Sequence, residues 1–510
     1  MRITHKMITN NMMSNINRNK DLVNKYDEQY TTGKRIQRPS DDPIITVRAL
    51  KLRTTLSELE QYVEKNIPDA LSWMEVSESG LKNINTILTN INTHCNQGAN
   101  DTLSVSDRNS IVENLTQFKE QIYKECNANS AGRYVYAGYK TNSSITYDTT
   151  SQDVKYDITE KFDGTDIKKI SKVIGGYTSS DYDSANPDKD KFAMAPTLIE
   201  NIYRLRLSYD KMDDVKMTAD DITYTETTTD PDTGKEVKET FPISNLGVTV
   251  ENKISTDADA YQPQENQIIY LKDTGELIMD AGMYEKLRLQ GEDAISVSYH
   301  KTNFSEGDCR PEHFFTCTST DQYGVVRNYE KTQQQIEYEV SFGQSIRVNT
   351  QITDVIGTDV ARDIDEILDR VNQVLDVENQ LANVNQLLSN SDTTTDQKAA
   401  LTLLKEQLTT EHVLKSKLMR DAFESGIGNS EKYQAQVNIA IADLGSRYSR
   451  VQLTQSRLED QKIDYTELKS ENEDVDLVDA YIKLTSAENI YTASLSSVAK
   501  ISKNSLLDFI

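Results

Sequence analysis

The sequence predicts an α+β protein, mainly helical at both ends and mainly β in the middle. Three observations carry this. From Met12 the apolar residues fall at Ile16, Val23, Tyr26 and Tyr30, and from Ile45 at Ala49, Leu52, Leu56, Leu59, Val63, Ala70 and Trp73, a spacing of fours and threes. The same alternation runs through Val437, Ile441, Leu444, Tyr448, Val451, Leu458 and Tyr465, then resumes in a new register at Leu477, Tyr481, Leu484, Tyr491, Leu495 and Val498. Between the ends the period shortens and turn residues multiply. A heptad stripe buries its apolar side only against a partner helix, so the ends pair with each other or with neighbouring copies.

The N-terminal helical region, about residues 8–129, is broken once by TTGKRIQRPSDDP at 31–43. Gly33 is placed to end a helix in a left-handed cap, and Asp42 before Pro43 is the pattern of an N-cap followed by proline at the first helical position. Pro39, Ser40, Asp41, Asp42 and Pro43 therefore form a loop motif whose carboxylates read as caps rather than catalytic groups. Pro68 predicts a kink or a restart, because proline removes one backbone donor and crowds the preceding turn. Around residues 100–107 a second break precedes a helix with Ile111, Leu115, Phe118 and Ile122 on one face, and Ser106 is the expected cap.

From Arg133 the run RYVYAGY (133–139) alternates aromatic and small residues and reads as a strand. The segment after this run, to about Arg347, holds 14 of the 26 tyrosines and six of the nine prolines. Strands are expected at Ile222–Thr227, Gln267–Leu271 and Ile295–Tyr299, with turns at DPDTG (230–234) and DTG (273–275). No proline follows Pro311, so helix can run freely beyond Gly357. Val360, Ile364, Ile367, Val371, Val374, Leu381 and Leu388 mark one helix, and Leu401, Leu404, Leu408 and Leu418 a second. SGIGNS (425–430) reads as a turn before the last pair. The expected domains are 1–141, a helical core segment; 142–345, an exposed β-rich part; and 346–510, a second helical core segment.

Composition narrows the function. At 510 residues the chain exceeds one ordinary hydrophobic core. With 36% hydrophobic residues, one tryptophan and a mean hydropathy of -0.62, it favours surface-rich architecture over a thick enzyme core. A net charge of -25 argues against a nucleic-acid partner. The charge is uneven: residues 1–60 carry 11 basic and 7 acidic side chains, residues 141–340 carry 21 and 38. No stretch nears the roughly 20 apolar residues of a membrane span. Residues 1–10 lack the apolar segment of a secretory signal, which on composition alone reads as cytoplasmic. Four cysteines are too few and scattered for a disulfide scaffold.

Chemistry is sparse. No HExxH, no glycine-rich phosphate loop and no cofactor-binding motif is present, so no cofactor and no catalytic residue is expected. The sharpest metal candidate is Cys309, His313 and Cys317, evenly spaced but without a fourth ligand, and an incidental polar loop is the plainer reading. A Cys309–Cys317 disulfide has no better claim. ENEDVD (471–476) reads as an acidic helix start, where carboxylates meet the positive end of the helix dipole.

At both ends the chain resembles the flagellin-like axial proteins of the bacterial flagellum. The N-terminal resemblance rests on MRIT (1–4), TGKRI (32–36), RPSDDP (38–43), DRN (107–109) and GRYVYAGYKT (132–141). The C-terminal one rests on LGSRYSRVQ (444–452), RLE (457–459), Asp476–Leu477, Leu484–Thr485, YTASL (491–495) and SLLDFI (505–510). Together these cover about 250 residues; the middle and the additional helices between Asp359 and Ser430 lie outside them. Filament flagellins resemble RAADDA where this chain has RPSDDP and end on an LLR-type tail; both differences favour the branch that joins hook to filament.

The resemblance implies a structural, non-enzymatic protein exported through the flagellar type III channel to the hook–filament junction. The expected fold is a long antiparallel helical coiled-coil bundle formed by the N- and C-terminal segments, with the β-rich middle facing outward. The expected assembly seam is Ile16, Val23, Tyr26, Leu484, Tyr491, Leu495, Val498, Leu506, Leu507 and Phe509. Implied partners are neighbouring copies, hook-associated protein 1, flagellin, and an export chaperone on the C-terminal helices. Rival readings are a filament flagellin, an enzyme or binding domain displayed through residues 142–345, and a coiled-coil surface adhesin.

Overall fold

A computed structural model describes residues 5–507 apart from 101–102, 186, 194–196, 230–235, 258, 292 and 391–392. The chain divides into two compact units, one of Met1–Leu71, Glu337–Ile346 and Tyr448–Ile510, the other of Ser72–Ile336 and Arg347–Arg447. The fold class is α+β, with long helices at both ends and the strands between them.

In the first unit α1 (His5–Thr32) pairs antiparallel with α9 (Leu477–Leu507): Asn19 Nδ2 donates to Ser494 Oγ at 2.7 Å, and the Tyr30 and Tyr481 rings sit 5.6 Å apart. The helix α2 (Pro43–Gln61) runs antiparallel to the last part of α8 (Thr395–Glu473): Arg53 meets Glu473 near one end, and Lys462 Nζ reaches Glu64 Oε1 at 2.6 Å towards the other. Asp42 caps α2, its Oδ1 accepting the N–H groups of Ile44 and Ile45 at 3.0 and 3.1 Å, with Pro43 at the first position. Gly33 takes the left-handed conformation at φ +67°.

The restart expected at Pro68 does not occur: helical backbone runs on through it. A π-helical turn, Tyr62–Asn66, joins α2 to α3 (Ile67–Gly98), and the Ile67 N–H closes on the Tyr62 carbonyl. The wider turn absorbs the bond that a proline cannot donate and relieves crowding against the preceding carbonyls. A hairpin, β14 (Glu337–Ser341) and β15 (Gln344–Arg347), packs beside this turn; Asn66 Nδ2 donates to the Glu339 carbonyl at 2.9 Å.

The second unit holds the rest of α3, α4 (Val105–Glu125), α7 (Asp359–Ser389), the first part of α8 and two sheets. The expected cap Ser106 is a correction: it lies inside α4, and Ser104 caps instead, in a capping box with Asp107. That choice places a carboxylate at the third helical position, where it answers the Ser104 N–H. The strand expected over residues 133–139 shrinks to β2 (Arg133–Tyr134), paired with β1 (Asn129–Ser130). Val135, Tyr136 and Ala137 are buried in turns instead, and the Tyr136 hydroxyl donates to the Ser77 carbonyl at 2.6 Å, so packing on α3 displaced the ladder.

One six-stranded antiparallel sheet has the order β13-β12-β3-β11-β6-β7, from Val326–Tyr329, Thr316–Asp321, Val154–Phe162, Ile295–Lys301, Ile222–Thr229 and Glu236–Pro242. A five-stranded sheet has the order β4-β5-β10-β9-β8, from Lys168–Ile174, Leu198–Arg206, Glu276–Met279, Gln267–Leu271 and Thr249–Lys253, with only β8 and β9 parallel. Alternate residues of both sheets, among them Ile158, Leu205, Tyr270, Leu277 and Val297, close one shared core. The short helices α5 (Ala281–Leu287) and α6 (Pro311–Phe314) lie between strands. The three expected strands are present as β6, β9 and β11; the turn expected at 230–234 lies outside the described residues.

The turn expected at SGIGNS is also corrected: α8 runs through it as one helix of 79 residues. A Cβ on Gly426 would come within 2.6 Å of Ile367 Cδ1 and 3.1 Å of Cys95 Sγ, so this glycine permits α3, α7 and α8 to approach. Asn92 Nδ2 seals the contact by donating to Ser430 Oγ at 2.9 Å. Among the described residues no helix is long and apolar enough to cross a membrane.

Candidate assembly surface

In the first unit the chain ends are fastened by a latch between the loop after α1 and the joint between α8 and α9. Lys34 and Asp474 form an antiparallel bridge: the Arg35 N–H donates to the Glu473 carbonyl at 2.7 Å, and the Val475 N–H to the Gly33 carbonyl at 3.0 Å. Gln29, buried at the end of α1, donates to the Arg35 carbonyl at 2.8 Å. The ENEDVD run divides its labour. Asp476 caps α9 through the Val478 N–H at 2.8 Å, Asp474 pairs with Lys34, and Glu473 pairs with Arg53. Glu473 is 4% exposed, and the Arg53 hydrogen bonds hold its carboxyl below the usual range.

The loop motif is a set of local caps. Pro39, Ser40 and Asp41 form an exposed turn, and Asp41 Oδ2 accepts the Gln37 and Arg38 N–H groups at 3.2 and 2.9 Å. The Arg38 backbone bond leads in lowering the Asp41 pKa.

The seam residues separate into two sets. Ile16 and Leu484 are buried with Ala480 and Ala487 between α1 and α9, and Val23, Tyr26, Tyr491 and Val498 are half-buried. Leu495 is 43% exposed. The side chains of Leu506 and Leu507, and all of Phe509, lie outside the described residues. The first unit also exposes apolar side chains that the heptad reading missed: Val478, Ile482 and Ile490 on α9, Ile44 and Val47 on α2, Leu453 and Ile463 on α8, each more than half exposed. The signal was in the sequence as apolar residues flanking the heptad positions, which widen the stripe beyond one partner.

The second unit offers little chemistry. The metal candidate is corrected: Cys309 lies opposite Thr146 in a bridge, His313 is on α6 with Nε2 3.1 Å from the Ser144 carbonyl, and Cys317 is in β12 within the sheet core. Three different elements carry the three side chains. Burial lowers His313 to about 3 and raises Cys317 to about 12. Among the described residues no group of three or more His, Cys, Asp or Glu is arranged to hold a metal. One buried carboxyl stands out. Glu160, on β3, accepts from the Tyr299 hydroxyl and from the Ser208 N–H at 3.2 Å, and burial raises it to about 7. It borders a cleft of about 670 Å³ lined by Lys161, Lys168, Lys331 and Lys432.

Residues 3–141 match the family model of the bacterial flagellin N-terminal helical region. Flagellar hook-associated protein 3 of Salmonella typhimurium is 28% identical over 209 residues, 39% of this chain and 66% of that protein. The Escherichia coli protein of the same name is 32% identical over 145 residues, 28% of this chain and 45% of that one. A flagellin of Clostridium tyrobutyricum is 30% identical over 127 residues, 25% and 33%. The chain thus spans just under two thirds of the first relative and less than half of the second. Among solved structures, the flagellar junction protein FlgL from Legionella pneumophila aligns over 84% of this chain and 100% of its own at 11% identity, with a TM-score of 0.27.

Proposed function

We propose that the chain is a flagellin-like axial protein that joins hook to filament in the bacterial flagellum, as a structural and non-enzymatic subunit; the match of residues 3–141 to the flagellin N-terminal helical region and the similarity to two hook-associated proteins support this reading. The observation that carries this reading is the pairing of α1 with α9, with apolar side chains left exposed on the helices of the same unit, in a chain that is similar to two hook-associated proteins. Paired helices with a second apolar face are suited to packing side by side with further copies. In this reading residues 1–141 and 346–510 build the tube wall and residues 142–345 face outward, where acidic charge keeps the surface wet. Its neighbours are copies of itself, hook-associated protein 1 and flagellin. Export through the type III channel, with a chaperone on the C-terminal helices, places it outside the cell.

The test is a strain lacking the gene, examined by electron microscopy. Hooks without filaments, with flagellin free in the medium, are expected, and the gene in trans should restore filaments. Full-length attached filaments in the deletion strain would overturn the proposal. A filament flagellin is the second reading, favoured by the Clostridium match. Abundance decides between the two: a filament subunit dominates purified flagella, whereas a junction subunit is a trace component.

A further inference from the structure

We propose that Cys126 and Cys309 are a disulfide pair, closed when the chain folds in an oxidising environment. All four cysteines are thiols in this structure, and all are buried. Cys126 ends α4, with its Sγ 3.2 Å from the Ile122 carbonyl. The next residue, Asn127, reaches to the neighbouring segment: its Oδ1 accepts the Ile145 N–H at 2.8 Å, and its Nδ2 donates to Thr146 Oγ1 at 2.7 Å. Thr146 in turn lies opposite Cys309 in an antiparallel bridge, flanked by the bonds Tyr147 N–H to Asp308 carbonyl at 2.9 Å and Arg310 N–H to Ile145 carbonyl at 2.8 Å. One extended segment therefore bonds to the residue after Cys126 through Asn127 and to Cys309 through its backbone.

A second observation agrees with this placement. After burial, the largest influence raising the Cys309 thiol is Cys126, ahead of Asp308, the adjacent residue in the chain. Cys309 likewise acts on Tyr123, one turn before Cys126. The remaining cysteines sit elsewhere: Cys95 against Gly426, and Cys317 in the sheet core.

The chemistry constrains when the bond forms. Attack requires a thiolate, and burial keeps both thiols protonated in the folded chain. Closure therefore belongs to folding, while the sulfurs are still accessible. One sulfur displaces a thiol from a small disulfide oxidant such as oxidised glutathione, and the other then displaces the second: one S–S bond forms, another breaks, and two electrons and two protons leave with the reduced oxidant. Once closed, the same burial excludes reductants. The two positions stand 183 residues apart, so the crosslink would fasten the end of α4 to the loop between β11 and α6, with most of the β-rich region between them. That it forms on the cell exterior rests on the export reading; the pairing itself does not.

The experiment uses the full chain, refolded from denaturant in a buffer of oxidised and reduced glutathione, then denatured and alkylated. Two alkylated thiols, at Cys95 and Cys317, and a peptide joining residues 126 and 309 are expected by mass spectrometry. Cys126→Ser and Cys309→Ser should each leave three alkylated thiols. The double variant Cys95→Ala, Cys317→Ala, made in case the single variants fold poorly, should show none. Reductant should lower the unfolding midpoint of the oxidised chain and leave that of Cys126→Ser unmoved. Four alkylated thiols after oxidising refolding, or Cys309 joined to Cys317, would overturn the pairing whatever the function proves to be.

Discussion

Arg53 and Glu473, 420 positions apart, close a two-pronged ion pair: Arg53 Nε donates to Oε1 and Nη2 to Oε2, both at 2.6 Å. Arg53 keeps more than half its side chain in water, whereas the Glu473 side chain is 5% exposed. Such a planar fork gives geometric specificity that a single contact does not. It fixes the joint between α8 and α9 against α2, and so sets where α9 begins.

Glu473→Gln should therefore loosen the latch, at a cost of about 1.5 kcal/mol for a charged hydrogen bond whose partner remains half-solvated. Because the folded pKa of Glu473 is depressed, its contribution is present above the unfolded value of roughly 4.3 and is lost as pH falls through the folded value. Amide exchange of residues 33–35 and 473–475 should rise in the variant at pH 7 and match the parent under acid. Unchanged exchange at pH 7 would show that the backbone bridge holds without the carboxylate.

The two glycines of the former turn predict opposite outcomes. Gly428→Ala meets nothing within 4 Å and should stabilise α8 by up to about 1 kcal/mol through helix propensity. Gly426→Ala drives a methyl into Ile367 and Cys95, an overpacking cost of about 1–3 kcal/mol that outweighs the same gain. Denaturant unfolding of both variants measures the signs. Equal stabilisation would mean that the helices part without penalty.

Glu160 predicts a pH dependence of the other sign. A carboxyl raised to about 7 in the folded state binds its proton more tightly there than in the unfolded chain, so stability is full below about 4.3 and declines as pH rises towards 7. The decline attributable to this residue is on the order of 3 kcal/mol. Glu160→Gln keeps an acceptor for Tyr299 and Ser208 and removes the titration, so its advantage over the parent should grow from pH 4.5 to pH 7. A constant difference across that range would dissociate the buried carboxyl from the effect.

On α9, neighbouring leucines should part company. Leu484→Asp places a carboxylate between α1 and α9 and should destabilise the free subunit by about 3–5 kcal/mol after relaxation. Leu495→Asp, at an exposed position, should leave the unfolding midpoint in place yet cost motility and release flagellin into the medium, provided that the variant is detected outside the cell. Normal attached filaments with exported Leu495→Asp would remove this position from the assembly surface.

The sequence by itself determined what depends on neighbours along the chain. The heptad stripes gave the helices at both ends, Asp42 with Pro43 gave the start of α2, and alternation gave β6, β9 and β11, because periodicity and caps act over a turn or a few residues. Only the tertiary structure decided which seam positions close on each other, since Leu484 and Leu495 stand in the same apolar pattern and differ in what lies opposite. It also decided that GIG continues a helix and that RYVYAGY folds into turns. At Gly426 the packing of Ile367 and Cys95 outweighs a local preference worth about 1 kcal/mol, and at Tyr136 burial against α3 outweighs a short ladder. The Arg53–Glu473 pair has no local signature at all, because a partner 420 positions away is chosen only when α2 and α8 come to lie side by side.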